Sequence, residues 1–327
     1  MKSEALLEVK NLKTWFYTRR GIVKAVNGVD FTLSRGECLC LVGESGCGKS
    51  VTALSLLRLF DSPPGKIVEG EIVYRSIDLV TCSLDKLRQI RGKDIAMVFQ
   101  NAQSALNPIF TIGDQIIEQI NTHLDLSHEQ ALEKARTLLD KMRIPEVDRA
   151  LKQYPHQMSG GMKQRAMIAM SLSCDPCILI ADEPTTAVDV TIRAQIMNIL
   201  QELKRGREMS IIFITHDLSL VREIGDRAAV IYGGRVIEIA PVERIMNEPA
   251  HPYTRGLISC LPDVSSDATR LPSIEGNTPN PIDMPSGCPF HPRCNSVMDV
   301  CRSVLPEITN ILDVHAVACH LYSGSGK

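Results

Sequence analysis

The chain has 327 residues, of which 44% are apolar and 23% charged, so it can build a buried core and is neither a small stapled protein nor a disordered one. Its net charge of -2 gives no overall basic field for nucleic acid or an anionic membrane. No apolar run reaches the roughly 18–20 residues that span a bilayer, and charges near the start replace the apolar stretch of a signal peptide. We therefore expect a cytoplasmic chain.

Apolar periodicity and glycine or proline breaks predict an α/β chain. The predicted elements are, in order, several short strands over 6–48, a helix over 50–59, strands at 71–74 and 95–99 around a polar helix at 83–91, helices over 112–149 and 159–173, a strand at 177–181, a helix at 192–205 and a strand at 211–215. The last two strands are almost entirely apolar, which is typical of a parallel sheet covered on both faces. Residues 112–149 are predicted to form a small helical subdomain, and the Pro-rich stretch 261–285 is predicted to be a linker.

One segment matches the pattern G-x-x-x-x-G-K-[ST] between a predicted strand and a predicted helix. Its residues are Gly43, Glu44, Ser45, Gly46, Cys47, Gly48, Lys49 and Ser50, called the phosphate loop below. Glycines let consecutive backbone N–H groups face phosphate oxygens, and the following helix N-terminus favours an anion. We expect Lys49 to reach the β- and γ-phosphates and the Ser50 hydroxyl to bind Mg²⁺.

Two acidic residues, Asp182 and Glu183, follow the buried strand predicted at 177–181. Ligands of parallel sheets bind at this carboxyl end of the strands. We expect Asp182 to hold Mg²⁺ through its water shell and Glu183 to polarise the attacking water as a general base. A purely structural role for Asp182, capping the next helix, is compatible with this assignment.

The order of the motifs resembles the ATP-binding cassette (ABC) ATPase family. The phosphate loop is followed by Gln100, then Ser159-Gly160-Gly161, then Asp182-Glu183, and finally His216 after a buried strand. The resemblance covers about residues 6–260. It implies a P-loop NTPase (RecA-like) core with an antiparallel β subdomain and a helical subdomain at about 101–165, in a nucleotide-binding domain of residues 1–260. ATP and Mg²⁺ are the implied ligands.

The resemblance also implies a role for each matching residue. Phe16, or its neighbour Trp15 or Tyr17, would stack on adenine. Gln100 would contact Mg²⁺ and water, and His216 would bond the γ-phosphate. Ser159, Gly160 and Gly161 would contact the ATP bound by the opposite subunit. Asp189 would communicate between the two ATP sites. Hydrolysis would therefore require a dimer, although Met158 and Met162 replace the usual Leu and Gln around Ser159-Gly160-Gly161.

Three further stretches resemble the ATPases of oligopeptide, dipeptide and nickel importers. They are Ser104-Ala105-Leu106-Asn107-Pro108, His251-Pro252-Tyr253-Thr254-Arg255 and Gly287-Cys288-Pro289-Phe290-His291-Pro292-Arg293-Cys294. Gly160-Gly161-Met162 further resembles the first (D-type) of the two unlike ATPase subunits. The implied partners are a second homologous ATPase subunit, as a heterodimer or as a homodimer in isolation, two transmembrane permeases, and indirectly an extracellular solute-binding protein. Residues 104–125 would contact a permease at the cytoplasmic face of the membrane.

Four of the eleven cysteines, Cys288, Cys294, Cys301 and Cys319, lie in the C-terminal extension predicted at 261–327. Their spacing is longer than that of usual zinc pairs. A helix joining Cys294 to Cys301 would place their Cα atoms about 10 Å apart, too far for one metal ion. Iron–sulfur ligation fits better, and some members of the resembling family carry a [4Fe–4S] cluster here. Zinc and plain reduced thiols are the alternatives.

The function expected from the resemblance is that of an ATP-hydrolysing motor of a bacterial importer of di- and oligopeptides. Alternatives are an importer of nickel or another solute, and a soluble ABC ATPase of DNA repair, translation or iron–sulfur assembly. Soluble relatives of DNA repair or translation usually carry long insertions or two cassettes, and this chain has neither, nor a basic stripe for nucleic acid. Relatives of iron–sulfur assembly lack a Pro-rich tail like the one in this chain. No nucleic-acid partner is expected.

Overall fold

The computed structural model describes residues 5–186, 188–206, 209–261 and 273–323, so residues 262–272 of the predicted linker lie outside the described residues. The strands of the described residues are β1 (Ala5–Thr18), β2 (Gly21–Ser34), β3 (Cys38–Val42), β4 (Gly65–Tyr74), β5 (Ile77–Asp78), β6 (Ile95–Val98), β7 (Ile178–Asp182), β8 (Ser210–Thr215), β9 (Arg227–Tyr232), β10 (Arg235–Pro241), β11 (Thr309–Leu312) and β12 (His315–Val317). The α-helices are α1 (Lys49–Leu56), α2 (Leu84–Ile90), α3 (Ala102–Ala105), α4 (Ile112–His123), α5 (His128–Lys141), α6 (Val147–Leu151), α7 (Gly160–Ser171), α8 (Val190–Arg205), α9 (Leu218–Ile224), α10 (Val242–Asn247) and α11 (Pro252–Ser259).

The chain divides into two compact units. Unit 1 contains residues up to 34, residues 38–81 and the residues from 214 onward, and unit 2 contains residues 35–37 and 82–213. The predicted boundary between a nucleotide-binding domain (1–260) and a C-terminal extension (261–327) lies within unit 1 and does not coincide with this division. It stays a prediction. None of the described helices is both long and apolar enough to cross a membrane.

Unit 1 contains two groups of paired strands. An antiparallel sheet has the order β2-β1-β4-β5, and a second group has the order β11-β12-β10-β9-β3. Only the β3–β9 pair of that second group is parallel, because β9, β10, β12 and β11 pair antiparallel. Every side chain of β3 is buried, and the strand leads directly into the phosphate loop and α1.

The N-terminal strands are longer than the sequence predicts. In place of several short strands, β1 and β2 each contain 14 residues and are joined by a tight turn. The pairing of Leu12 with Val29 is followed by that of Lys13 with Asn27, so Gly28 is passed over as a bulge. A bulge absorbs one extra residue without ending the strand, which is why a glycine that indicates a break in the sequence lies inside β2.

Unit 2 holds the helical region and a buried group of strands. The strands have the order β8-β7-β6, with β6 and β7 parallel and with the first four residues of β8 in this unit. All side chains of β6, β7 and β8 are buried, and for β7 and β8 this confirms the prediction from their apolar runs. The predicted helical stretch 112–149 forms α4, α5 and α6. The first two begin at capping boxes in which Thr111 and Ser127 accept bonds from backbone N–H groups.

A buried carboxylate joins three segments of unit 1. Glu238 of β10 has no exposed surface, and its Oε1 lies 2.7 Å from His315 Nε2 of β12. The backbone N–H groups of Ala250 and His251, just before α11, donate to the same carboxylate at 2.7 and 2.8 Å. A buried charge is tolerated only when its hydrogen-bonding capacity is satisfied. Glu238 therefore fixes both the start of α11 and the tail strand β12.

We expect Glu238→Ala to lower the free energy of unfolding by about 3–5 kcal/mol, since it leaves two buried N–H donors and His315 without their acceptor. Glu243→Ala removes an exposed carboxylate five residues later and should cost about 0.5 kcal/mol or less. Urea unfolding of both purified variants measures the difference. Equal midpoints for the two would show that the network contributes nothing to stability.

Candidate functional site

The phosphate loop is a tight turn between β3 and α1. Gly43, Gly46 and Gly48 have φ values of +152°, +79° and +107°, a region that side-chain-bearing residues rarely adopt. No side chain caps α1, whose N-cap is Gly48. Since the first N–H groups of a helix have no partner within the helix, this end of α1 presents donors suited to a phosphate group.

Lys49 is buried and turned onto its own loop. Its ammonium Nζ donates to the carbonyl oxygens of Gly43 and Glu44 at 2.8 and 2.9 Å and lies 3.7 Å from Cys47 Sγ. Burial raises the pKa of the Cys47 thiol, with the charge of Lys49 acting in the opposite direction. Cys47 is therefore a neutral buried thiol at neutral pH, which agrees with a filling role in the loop.

Glu44 is held at both its main chain and its side chain. Its backbone N–H donates to Tyr253 Oη of α11 at 2.9 Å, and its carboxylate accepts two bonds from Arg293. Hydrogen bonding to this carboxylate raises the pKa of Arg293, while burial raises that of Tyr253. Residues from the C-terminal part of unit 1 thus contact the phosphate loop directly.

Two predicted residues of unit 2 meet in the structure. Gln100 Nε2 donates to Glu183 Oε2 at 3.1 Å, and the Thr186 hydroxyl donates to the same oxygen at 2.9 Å. Glu183 has a φ of +46°, which is uncommon for a residue with a side chain. Gln164 holds the residue that follows Glu183, because its Nε2 donates to the Pro184 carbonyl at 2.7 Å.

The other predicted residues of unit 2 lie at ends of elements. Asp182 is the last, buried residue of β7. Ser159 and Asp189 are the N-caps of α7 and α8, and their side chains accept bonds from the N–H groups of Met162 and Ile192. A side chain built at Gly160 would meet no atom within 4 Å, so the chain itself does not require a glycine there.

The remaining predicted residues belong to unit 1. His216 is exposed and directly follows β8. Among the three aromatic candidates, Phe16 packs edge-on against Phe60 with ring centroids 5.8 Å apart, and Trp15 lies beneath the Lys24 ammonium. Tyr17 is the most exposed of the three, at 49%.

The four tail cysteines line one small cavity. Burial raises the pKa of Cys288 to about 11 and also raises the pKa of Cys294 and Cys319. Among the described residues no three His, Cys, Asp or Glu side chains are placed to hold a metal ion. Short 3₁₀ helices at His291–Arg293 and Asp299–Arg302 replace a continuous helix from Cys294 to Cys301.

Sequence reasoning missed several residues of this region. Thr186 lies three residues after Glu183, and Gln164 lies three residues after Gly161. A polar side chain so close to a motif was the available sign of a role at the site. Glu44 lies in the phosphate loop and Arg293 in the stretch 287–294, but neither motif predicts a role for them. They are separated by 249 positions, so their pairing has no local signal in the sequence.

These elements define a nucleotide-binding α/β protein with a phosphate loop. Residues 26–186 match the family model described as ABC transporter, and residues 237–301 match the one described as oligopeptide/dipeptide transporter, C-terminal region. A putative peptide import ATP-binding protein of Brucella abortus is 51% identical over 94% of this chain and 92% of its own. The oligopeptide transport ATP-binding protein AppD of Bacillus subtilis is 44% identical over 98% of each chain.

Solved structures agree with these matches. A dimeric ATP-binding cassette in a post-hydrolysis state bound to ADP and Pi covers 72% of this chain and 98% of its own at 28% identity, with a TM-score of 0.66. The structure of cbiO1 of Clostridium perfringens, described as part of the ABC transporter complex cbiONQ, covers 75% of this chain and 92% of its own at 25% identity, with a TM-score of 0.62. The chain belongs to the ABC transporter family of ATP-binding proteins. It is an ATPase with the α/β P-loop core of that family.

The conformation of the phosphate loop predicts unequal costs for two alanine substitutions. Gly46→Ala places its Cβ in open space and should cost only the strain of a positive φ, about 1–2 kcal/mol of unfolding free energy. Gly48→Ala drives its Cβ into the Ala25 carbonyl oxygen, so the backbone must also shift, at an added cost of about 1–3 kcal/mol. Chemical unfolding of both variants measures this difference, and equal stabilities would contradict the loop geometry.

Proposed function

We propose that this chain is the ATP-hydrolysing motor subunit of a bacterial ABC importer of di- and oligopeptides. The observation that carries the proposal is the C-terminal region at 237–301, which is described as that of oligopeptide/dipeptide transporters and follows the ABC core in the same chain. The peptide specificity belongs to the named relatives and comes to this chain by that similarity.

The phosphate loop binds ATP in this proposal. The loop N–H groups and the uncapped N-terminus of α1 donate to the phosphate oxygens, and the Lys49 ammonium exchanges its carbonyl partners for the β- and γ-phosphate oxygens. The sequence assigns Mg²⁺ to Ser50, Asp182 and Gln100, whose hydroxyl, carboxylate and amide oxygens are ligand types that Mg²⁺ uses. Bound Mg²⁺ supplies charge neutralisation at the phosphates.

Glu183 is the proposed general base. Donors from Gln100 and Thr186 both bind its Oε2, which fixes the direction of the carboxylate at the end of β7. A fixed carboxylate can take the proton of an attacking water without reorganising. Because Gln100 also belongs to the proposed Mg²⁺ ligands, its bond to Glu183 links nucleotide state to the position of the base. His216 would contact the γ-phosphate.

The second half of each site is proposed to come from another ATPase subunit. Ser159 at the start of α7 and Gly160 after it are exposed, and the space around Gly160 is open within this chain. An uncovered helix start with a serine cap suits a phosphate that arrives on a partner. With Gly161 and Asp189, this surface would complete the ATP site of a homologous subunit, in a heterodimer or, for the isolated chain, a homodimer.

The proposed membrane partners are two permeases, served from outside by a solute-binding protein. Between α3 and α4 the chain exposes two large apolar side chains, Ile109 (72% exposed) and Phe110 (46% exposed). Exposed apolar side chains beside each other indicate a contact surface. They lie in the stretch 104–125 that the sequence assigns to the permease, so the chain would sit peripherally at the cytoplasmic face of the membrane.

We expect Glu183→Gln to lower kcat for ATP at least about 100-fold while ATP still binds, because the amide keeps the shape of the side chain but cannot take a proton. Cells that depend on this variant should lose uptake of labelled di- and oligopeptides. Purified protein measures hydrolysis and binding, and intact cells measure uptake.

Lys49→Ala is the control, since it should lose ATP binding as well as hydrolysis. Unchanged turnover in Glu183→Gln would contradict the role of Glu183. If cells that depend on Glu183→Gln take up peptides normally but no longer accumulate nickel, the peptide assignment is contradicted and the nickel alternative is favoured.

We further propose that Cys288, Cys294, Cys301 and Cys319 hold a [4Fe–4S] cluster. Four thiols around one cavity are the donor set that iron–sulfur clusters use. Because burial raises the pKa of Cys288, Cys294 and Cys319, these bare thiols are neutral, and a metal would be needed to hold them as thiolates. A bound cluster would supply a rigid link between the tail segments that carry its ligands.

Protein purified without oxygen is expected to contain about four iron and four sulfide per chain, with a matching visible absorption. Cys294→Ser should lose them, whereas Cys260→Ser, outside the cavity, should keep them. About one zinc without sulfide would favour the zinc alternative, and no metal would favour reduced thiols.

A further inference from the structure

Arg293 contacts the phosphate loop with a fully engaged guanidinium. Its Nη1 and Nη2 donate to the two carboxylate oxygens of Glu44 at 2.7 and 3.0 Å, a two-point fork. Its Nε donates to the Glu275 carbonyl at 2.9 Å, and Nη2 also reaches the Ile274 carbonyl at 3.2 Å. Only 5% of the Arg293 side chain is exposed. This is a partly buried pair of defined geometry and not a mobile surface ion pair.

The main chain of Glu44 is held by a second element of the same unit. Tyr253 Oη accepts the Glu44 N–H at 2.9 Å, and Tyr253 itself has no exposed surface. Its ring packs against Tyr232 and Phe290, with centroids 4.6 and 5.4 Å away. The Arg293 guanidinium lies 5.9 Å from the centroid of the same Phe290 ring. The cluster of Tyr232, Tyr253 and Phe290 therefore orders both the tyrosine and the arginine that contact Glu44.

The charge of Glu44 is the reason that this contact matters for ATP. A carboxylate in a phosphate-binding loop repels a polyanion, and the repulsion acts over several ångströms when little water lies between the charges. Arg293 neutralises that carboxylate and turns it toward the tail. Without Arg293, the negative charge of Glu44 would act on the loop.

We propose that Arg293 is a positioning residue of the nucleotide site, which orients and neutralises Glu44 so that the phosphate loop accepts the triphosphate of ATP. The proposal rests on the proposed role of residues 43–50 in binding ATP. Arg293 acts through Glu44 and is not itself assigned a contact with the nucleotide. The C-terminal extension is thereby part of the apparatus for ATP binding.

Equilibrium titration of the full chain with Mg²⁺-ATP tests the proposal, together with KM and kcat for hydrolysis. Arg293→Gln should raise Kd and KM about ten-fold and change kcat less than about two-fold, because the lost contact affects ground state and transition state equally. Arg293→Lys keeps the charge without the fork and should raise Kd about three-fold.

The decisive comparison is made in the Glu44→Gln background. There the charge that Arg293 neutralises is absent, so adding Arg293→Gln should change Kd by less than about two-fold, as expected for two residues that act through one contact. Arg302→Gln is the matched control. It removes an exposed arginine beside Cys301, as Arg293 lies beside Cys294, and should leave Kd unchanged.

The inference is overturned by an unchanged Kd in folded Arg293→Gln, by an equal loss in Arg302→Gln, or by the same ten-fold loss in the Glu44→Gln background. If Arg293→Gln does not fold, Arg293→Lys with and without Glu44→Gln gives the same comparison. Lys49→Ala separates the two proposals. Normal ATP binding in Lys49→Ala would refute the role of the phosphate loop, whereas loss there with normal binding in Arg293→Gln refutes only the role of Arg293.

Discussion

The buried carboxylate of Glu238 determines how the C-terminal part of unit 1 is attached. It accepts the N–H groups of Ala250 and His251 and contacts His315, so one charge fixes the start of α11 and the strand β12 together. The orientation of α11 places Tyr253 against the Glu44 N–H. A displacement at Glu238 would therefore reach the phosphate loop through a single short helix, because packed cores transmit rather than absorb such shifts.

The parts that the sequence predicted are those whose physical cause is local. The strands β7 and β8 follow from runs that are almost entirely apolar, and the helices of the stretch 112–149 follow from apolar residues at helical spacing. The phosphate loop needs its glycines for its own backbone. Each of these signals lies within about ten neighbouring residues, so the sequence alone carries the information.

The parts that could not be predicted depend on residues far apart in the chain. The long strand β2 continues through Gly28 because its partner β1 tolerates a bulge, and no property of Gly28 alone distinguishes this from a break. The bond between Gln100 and Glu183 joins the ends of two strands that pair only in the folded sheet. Glu44 and Arg293 are an extreme case, since each belongs to a motif whose local pattern gives no hint of the other.

The C-terminal extension shows why composition and contacts divide this chain differently. Proline content indicates a boundary near residue 260, where the chain leaves α11. Beyond it, however, Phe290 is 3% exposed and packs against Tyr232 and Tyr253, which precede that boundary. A separate domain needs a core of its own, whereas here the main aromatic residue of the extension lies in a core shared with β9 and α11. Because Cys288 and Cys294 lie two and four residues from Phe290, any group bound by these cysteines is held by the same core that positions Glu44.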